Sequence, residues 1–129
     1  MKKNKAILCV DDEPIILASL KAELSQSFGE HFIIEIAESG EEALETLEFL
    51  AGKNIDTMVI ISDWLMPDMK GDELLARVHG KFPKMAKIML SGQANPEAIA
   101  RVKAEVQAIF ISKPWKKQDL SELIKEKIA

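Results

Sequence analysis

Five short apolar runs, AILCV, FIIEIA, TMVIIS, KIMLS and AIFIS, are separated by stretches whose apolar residues recur every three or four positions. Continuous runs of that length suit strands buried on both faces, and the intervening spacing suits helices. Strands and helices alternating through brief connections imply right-handed crossovers and a parallel sheet covered on both sides. The expectation is an α/β, doubly wound five-stranded parallel sheet with five flanking helices. At 129 residues the chain is long enough for one such domain, spanning 1–129.

Local signals place the elements. Ala6 to Val10 reads as the first strand, followed by a helix opened by Pro14, carrying Ile16, Leu17, Leu20, Leu24 and Phe28, and stopped at Gly29. Phe32 to Ala37 is a second strand, and Ser39 with Glu42 forms a capping-box pattern ahead of Ala43, Leu44, Leu47 and Leu50. The segment FLAGKNIDT is expected to form a long link from this helix to the third strand, Thr57 to Ser62. After the loop DWLMPDMKG come a helix through Leu74, Leu75, Val78 and Phe82 and a strand at Ile88 to Leu90. Asn95 and Pro96 then start a helix bearing Ile99, Val102 and Val106. Ala108 to Ile111 is the fifth strand, and Leu120, Leu123, Ile124 and Ile128 mark the last helix.

What stands at the strand ends is chemical. Asp11 and Asp12 close the first run, Asp63 the third, Ser91 the fourth, and Lys113 follows the fifth. Ligands of open parallel sheets sit beyond the carboxyl ends of the strands. Negative charge before a helix is favoured by the helix dipole, so capping alone accounts for one of the adjacent acids. It does not account for Asp63, which ends a different strand and brings further negative charge to the same edge. Like charges so placed raise each other's pKa unless a cation intervenes, and Lys113 supplies one charge against three. Mg²⁺ would supply the balance, since it takes one or two carboxylates, water and phosphate oxygens.

Composition narrows the alternatives. A net charge of -4 weighs against nucleic acid as a direct partner, and the cluster Lys2, Lys3 and Lys5 reads as a solvated tail. The single cysteine, Cys9, excludes an internal disulfide and reads as core. No stretch approaches the ~20 apolar residues of a membrane span, and MKKNKAILCVDDE fails as a signal peptide, so the cytoplasm is the expected location. His31 and His79 share no metal-ligand spacing and read as surface residues.

The phrases DDEP at Asp11 to Pro14, SDWLMPDMKGDELL at Ser62 to Leu75, LSG at Leu90 to Gly92 and KPW at Lys113 to Trp115 resemble the receiver domains of bacterial two-component response regulators. The resemblance covers essentially the whole chain. It implies a flavodoxin-like sheet in the order 2-1-3-4-5, which the periodicities alone do not give. It also implies that Asp63 takes a phosphoryl group from a sensor histidine kinase or phosphotransfer protein. Asp12 and Asp63 would bind Mg²⁺ directly, Asp11 through water, and the backbone carbonyl of Leu65 would complete the protein ligands. Lys113 would pair with Asp63 and then with the phosphoryl group, whose other oxygens would meet Ser91 and the backbone amides of Trp64 and Gly92.

By the same resemblance, Ser91 and Phe110 would form the switch, read by a downstream output domain or protein. The surface from the fourth helix to the fifth would carry the signal and offers a possible homodimer contact. Leu65 and Gln93 flank the phosphoryl position, and Trp115 reads as packing over the Lys113 loop in preference to an exposed docking aromatic. No separate turnover substrate is expected. The rival readings are a Mg²⁺-dependent phosphohydrolase using an aspartyl phosphate and a receiver that binds partners without phosphorylation. Positions 11 to 13 read D-D-E where haloacid-dehalogenase-like enzymes have D-x-D, and no G-x-x-x-x-G-K-[ST] or G-x-G-x-x-G occurs. No output domain is visible in this sequence, so the expectation is either a domain that acts alone or a segment of a larger regulator, and KPW leans toward the second.

Overall fold

Hydrophobic periodicity turns into two layers of side chains on either side of one sheet. The computed structural model describes residues 3–92 and 95–128. Along the chain run β1 (Lys5–Val10), α1 (Pro14–Phe28), β2 (Ile33–Ala37), α2 (Gly40–Gly52) and β3 (Asp56–Asp63). They are followed by α3 (Gly71–Lys81), β4 (Ala86–Ser91), α4 (Pro96–Glu105), β5 (Ile109–Ser112) and α5 (Lys117–Ile128). All strand pairs are parallel and the order is β2-β1-β3-β4-β5.

Side chains of successive strand residues point to opposite faces, and the core divides accordingly. Leu8, Ile60 and Met89 face α2, α3 and α4, where Leu47, Leu74, Leu75, Val78 and Val102 meet them. Ile7, Cys9, Val59, Ile61, Ile88 and Leu90 face α1 and α5, where Leu17, Leu20, Leu24, Leu120 and Ile124 close the other layer. Cys9 is fully buried, and desolvation pushes its thiol up to about 12, which fits the expected core role.

Caps end the helices much as the residue types require. Ser39 Oγ accepts the Glu42 backbone N–H at 3.1 Å, and Asn95 Oδ1 accepts that of Ala98 at 2.7 Å. The Glu42 carboxylate reaches back one residue beyond the usual capping box and accepts the Glu38 N–H at 3.1 Å.

Two expectations are corrected and a third is met. The long link does not exist, because Phe49–Gly52 continue α2, and only residues 53–55 separate it from β3. Gly29 caps the end of α1 where the stop is expected, with an ordinary right-handed φ of -64°. His79 is half-buried on α3, its Nδ1 without a hydrogen-bond partner among the described residues, whereas His31 is exposed as expected. Lys3 and Lys5 are exposed, in keeping with a solvated segment, and Lys2 and Gln93 lie outside the described residues.

Candidate functional site

Sheet register brings the chemical residues together. Val10 is level with Ser62, so Asp11 and Asp63 leave adjacent strands at the same height. Asp63 is level with Leu90, one residue before Ser91, and Ser91 is level with Ser112, one residue before Lys113. The Lys113 backbone N–H donates to the Ser91 carbonyl at 3.2 Å, which carries the register one step past the end of β5. Lys113 continues into a cis peptide bond with Pro114.

Charge is dense at this edge. The Lys113 ammonium lies 2.8 Å from Asp11 Oδ2 and 3.2 Å from Asp63 Oδ1. Asp11 is 1% exposed, and its other oxygen accepts the Glu13 backbone N–H at 2.9 Å. Sequence reasoning paired Lys113 with Asp63 alone; the shorter contact is to Asp11. Asp12 is exposed, and one carboxylate oxygen from each of Asp11, Asp12 and Asp63 lies within 4.8 Å of the other two.

Burial raises the Asp63 carboxyl above its usual range, and the neighbouring Asp11 charge adds to this. The Lys113 ammonium and the Trp64 backbone N–H oppose that shift without cancelling it. For Lys113, burial works against the charge, yet the hydrogen bond and charge of Asp11, with those of Asp63, leave its pKa raised. One cation thus serves two buried carboxylates and leaves an excess of negative charge. Three carboxylates around one point form an all-oxygen donor set suited to a hard divalent ion, and the exposed Asp12 leaves it open to solvent. These residues fit Mg²⁺.

A cleft of about 470 Å³ opens over the cluster, lined by Asp12, Asp63, Leu65, Ser91, Gly92 and Lys113 among others. Its walls therefore carry acids, a hydroxyl and an ammonium from four strand ends. Ser91 is 2% exposed. A larger cavity of about 530 Å³ lies at the opposite edge between Leu47, Ile55, Met58, Phe82 and Met85. Its walls are mainly apolar and it lacks a matching cluster of titratable groups, so chemistry and not size identifies the site. Phe110, half-buried on β5, packs against the α2–α3–α4 layer.

Two residues that sequence reasoning passed over hold the β3–α3 loop. Gly71 donates its N–H to the Trp64 carbonyl at 2.7 Å, and a Cβ at Gly71 would stand 2.2 Å from the Asp63 backbone oxygen. Glycine is required there by close approach. Asp68 accepts the Gly40 and Glu41 N–H groups at 3.1 and 2.9 Å, tying the loop to the start of α2. Its slight burial raises its pKa, but these backbone donors outweigh that and hold the carboxyl below its usual range. The available signal for Asp68 was an acid in a turn facing a helix N-terminus from another segment; no local spacing pairs positions 28 apart. Trp64 is buried, with Nε1 donating to Asp72 at 3.1 Å. Trp115 packs on the α1–α5 layer and donates to Glu23 at 3.0 Å, in keeping with the packing role.

A doubly wound sheet with buried acids, a lysine and a hydroxyl at one switch-point cleft defines the class of phosphoryl-accepting α/β domains. Sequence comparison gives the family within it: the response regulator receiver domain matches residues 7–125, and the chain belongs to that family. It is 36% identical to chemotaxis protein CheY1 of Helicobacter pylori over 119 residues, covering 90% of each chain. It is 31% identical to the sensor kinase CckA of Brucella abortus over 124 residues, which is 95% of this chain but 12% of that protein. The crystal structure of a CheY-like receiver from Methanospirillum hungatei superposes with a TM-score of 0.84 at 37% identity, covering 96% of this chain and 93% of that one. The fold is the flavodoxin-like receiver fold, and the domain is a phosphoacceptor signalling element of two-component systems. No helix among the described residues is long and apolar enough to cross a membrane.

Proposed function

We propose that Asp63 is the phosphoacceptor and that the cleft above it is built to transfer one phosphoryl group and hold it. The observation carrying this reading is the Lys113 ammonium held against both Asp11 and Asp63 inside an acid cluster of net negative charge. An Asp63 carboxylate oxygen attacks phosphorus of a phosphohistidine, the P–N bond breaks, and its electron pair leaves with the imidazole. Asp11, Asp12, Asp63 and the Leu65 carbonyl would hold Mg²⁺, which when bound neutralises charge on the carboxylates and phosphoryl oxygens.

Lys113 is already positioned within 3.2 Å of Asp63 Oδ1 and moves to a phosphoryl oxygen as charge builds there. The Ser91 hydroxyl and the backbone amides of Trp64 and Gly92 hold the remaining oxygens. Attraction of Ser91 toward the new group frees space that the Phe110 ring fills, and the α4–β5–α5 face then presents the signal to an output domain or protein, or to a second copy. The whole of 1–129 acts as one receiver unit, with a histidine kinase or phosphotransfer protein as donor, no separate turnover substrate, no direct nucleic-acid contact and a cytoplasmic place of work.

Intact-mass measurement after incubation with acetyl phosphate, with and without Mg²⁺, tests the assignment. One phosphate per chain is expected with Mg²⁺ and none in Asp63→Asn; steady phosphate release without a labelled chain would favour the hydrolase reading instead.

A further inference from the structure

The opposite edge of the sheet carries a second polar cleft, of about 210 Å³, whose lining includes Lys84, Lys87, Gln107 and Lys127. These residues come from the α3–β4 loop, β4, the α4–β5 turn and the last turn of α5, so the tertiary fold gathers them. Lys87 is 5% exposed, and its ammonium donates to the carbonyls of Met85 at 2.6 Å and Pro83 at 3.5 Å. Among the described residues no carboxylate lies within ion-pair distance of Lys84, Lys87 or Lys127. A buried ammonium satisfied only by neutral carbonyls is costly, and burial pushes the Lys87 pKa below its ordinary value.

A second oddity sits at the same rim. Gln107 has φ of 57°, a left-handed backbone that a non-glycine residue adopts at some cost. The turn holding it delivers the Gln107 side of the cleft beside the lysines. Three lysines line this polar hollow, and lysine offers point charges that suit phosphate-type oxyanions, in contrast to the planar bidentate fit that arginine gives carboxylates. We propose that this cleft is a binding site for a small, multiply charged oxyanion of the phosphate class, separate from the phosphoacceptor cleft at the carboxyl edge. Lys87 forms its floor with a remaining N–H directed by the two carbonyl contacts, and Lys84 and Lys127 close over the ligand from the rim. The site neutralises the buried charge that the protein itself leaves without a counter-ion.

Titration of the ¹⁵N-labelled full chain with inorganic pyrophosphate, free of Mg²⁺ and against sodium chloride at matched ionic strength, reads the site directly. Saturable amide shifts are expected at Ala86, Lys87, Gln107 and Ala108, with inorganic phosphate binding more weakly at the same amides. Lys87→Met should weaken pyrophosphate binding by about tenfold or more, the scale of one lost charged hydrogen bond. It should also leave the ligand-free protein at least as stable, since a buried charge gives way to an apolar side chain. Lys84→Gln combined with Lys127→Gln keeps the core intact and should weaken binding as well, which preserves the test if Lys87→Met does not fold. Shifts reproduced by sodium chloride, or wild-type affinity in the double variant, would overturn the proposal. So would a marked loss of stability in ligand-free Lys87→Met with no pyrophosphate binding by the wild type, because Lys87 would then serve only to hold the Pro83 and Met85 carbonyls of the α3–β4 loop.

Discussion

Lys113 and Lys87 are two lysines of one sheet, at opposite edges, and they meet burial in opposite ways. Lys113 has two carboxylates within 3.2 Å and its pKa is raised; Lys87 has, among the described residues, only backbone carbonyls and its pKa is lowered. The comparison shows that burial alone does not define a charged site. At the carboxyl edge the excess is negative and calls for a cation; at the amino edge the excess is positive and calls for an anion.

Removing Lys113 should produce the largest effect. Lys113→Met leaves Asp11 and Asp63 buried side by side, and losing one partner of a buried pair costs about 3–5 kcal/mol. The low end, about 3 kcal/mol in urea unfolding without Mg²⁺, is expected, because the exposed Asp12 leaves the cluster open to solvent. Mg²⁺ at about a hundred times its Kd should return roughly 2.7 kcal/mol. Unchanged stability in both conditions would break the contrast between the two edges.

Next in size is a comparison within α3. Gly71→Ala puts a methyl group against the Asp63 backbone, where neither partner can yield, and an overpacking cost of about 1–3 kcal/mol is expected, with slower phosphorylation. Gly80→Ala meets nothing within 4 Å and should stabilise the same helix by roughly 0.5–1 kcal/mol without touching the site. Paired denaturation curves and phosphorylation rates separate the two. Asp68→Ala removes the tie between the β3–α3 loop and α2, at about 1 kcal/mol by analogy with a lost cap. The Asp68 pKa is lowered on folding, so that contribution is present above 3.8 and is lost as pH falls through the lowered value.

The smallest effects sharpen the comparison of the lysines. Lys87, with its pKa lowered, makes stability rise with pH up to the ordinary 10.5, because the unfolded chain binds the extra proton there. Lys113, with its pKa raised, contributes stability below 10.5 that is lost as pH rises through its folded value. Stability profiles of Lys87→Met and Lys113→Met should each lose one of these opposing slopes.

Much of this arrangement was legible in the chain itself. Alternating periodicities located all ten elements, since each is buried along a regular face, and the strand-end acids, Ser91 and Lys113 followed from where those faces stop. Strand order came from family resemblance, because periodicity says which face is buried but not which neighbour buries it. The same limit hid Asp68 and Gly71, whose roles are contacts with Gly40 and with the Asp63 backbone. It also hid the preference of Lys113 for Asp11, which depends on two strand ends standing at one height. FLAGKNIDT was misread because Gly52 and Asn54 signal a turn without saying how far the helix runs before it.

The most direct test of the account is the position of the covalent bond. Borohydride reduces an aspartyl phosphate to homoserine, so peptide mapping after Mg²⁺-dependent phosphorylation reads the acceptor residue. Homoserine at position 63 alone is the expected result; homoserine at position 11 or 12 in its place, or a phosphorylated chain with position 63 unmodified, would contradict the account.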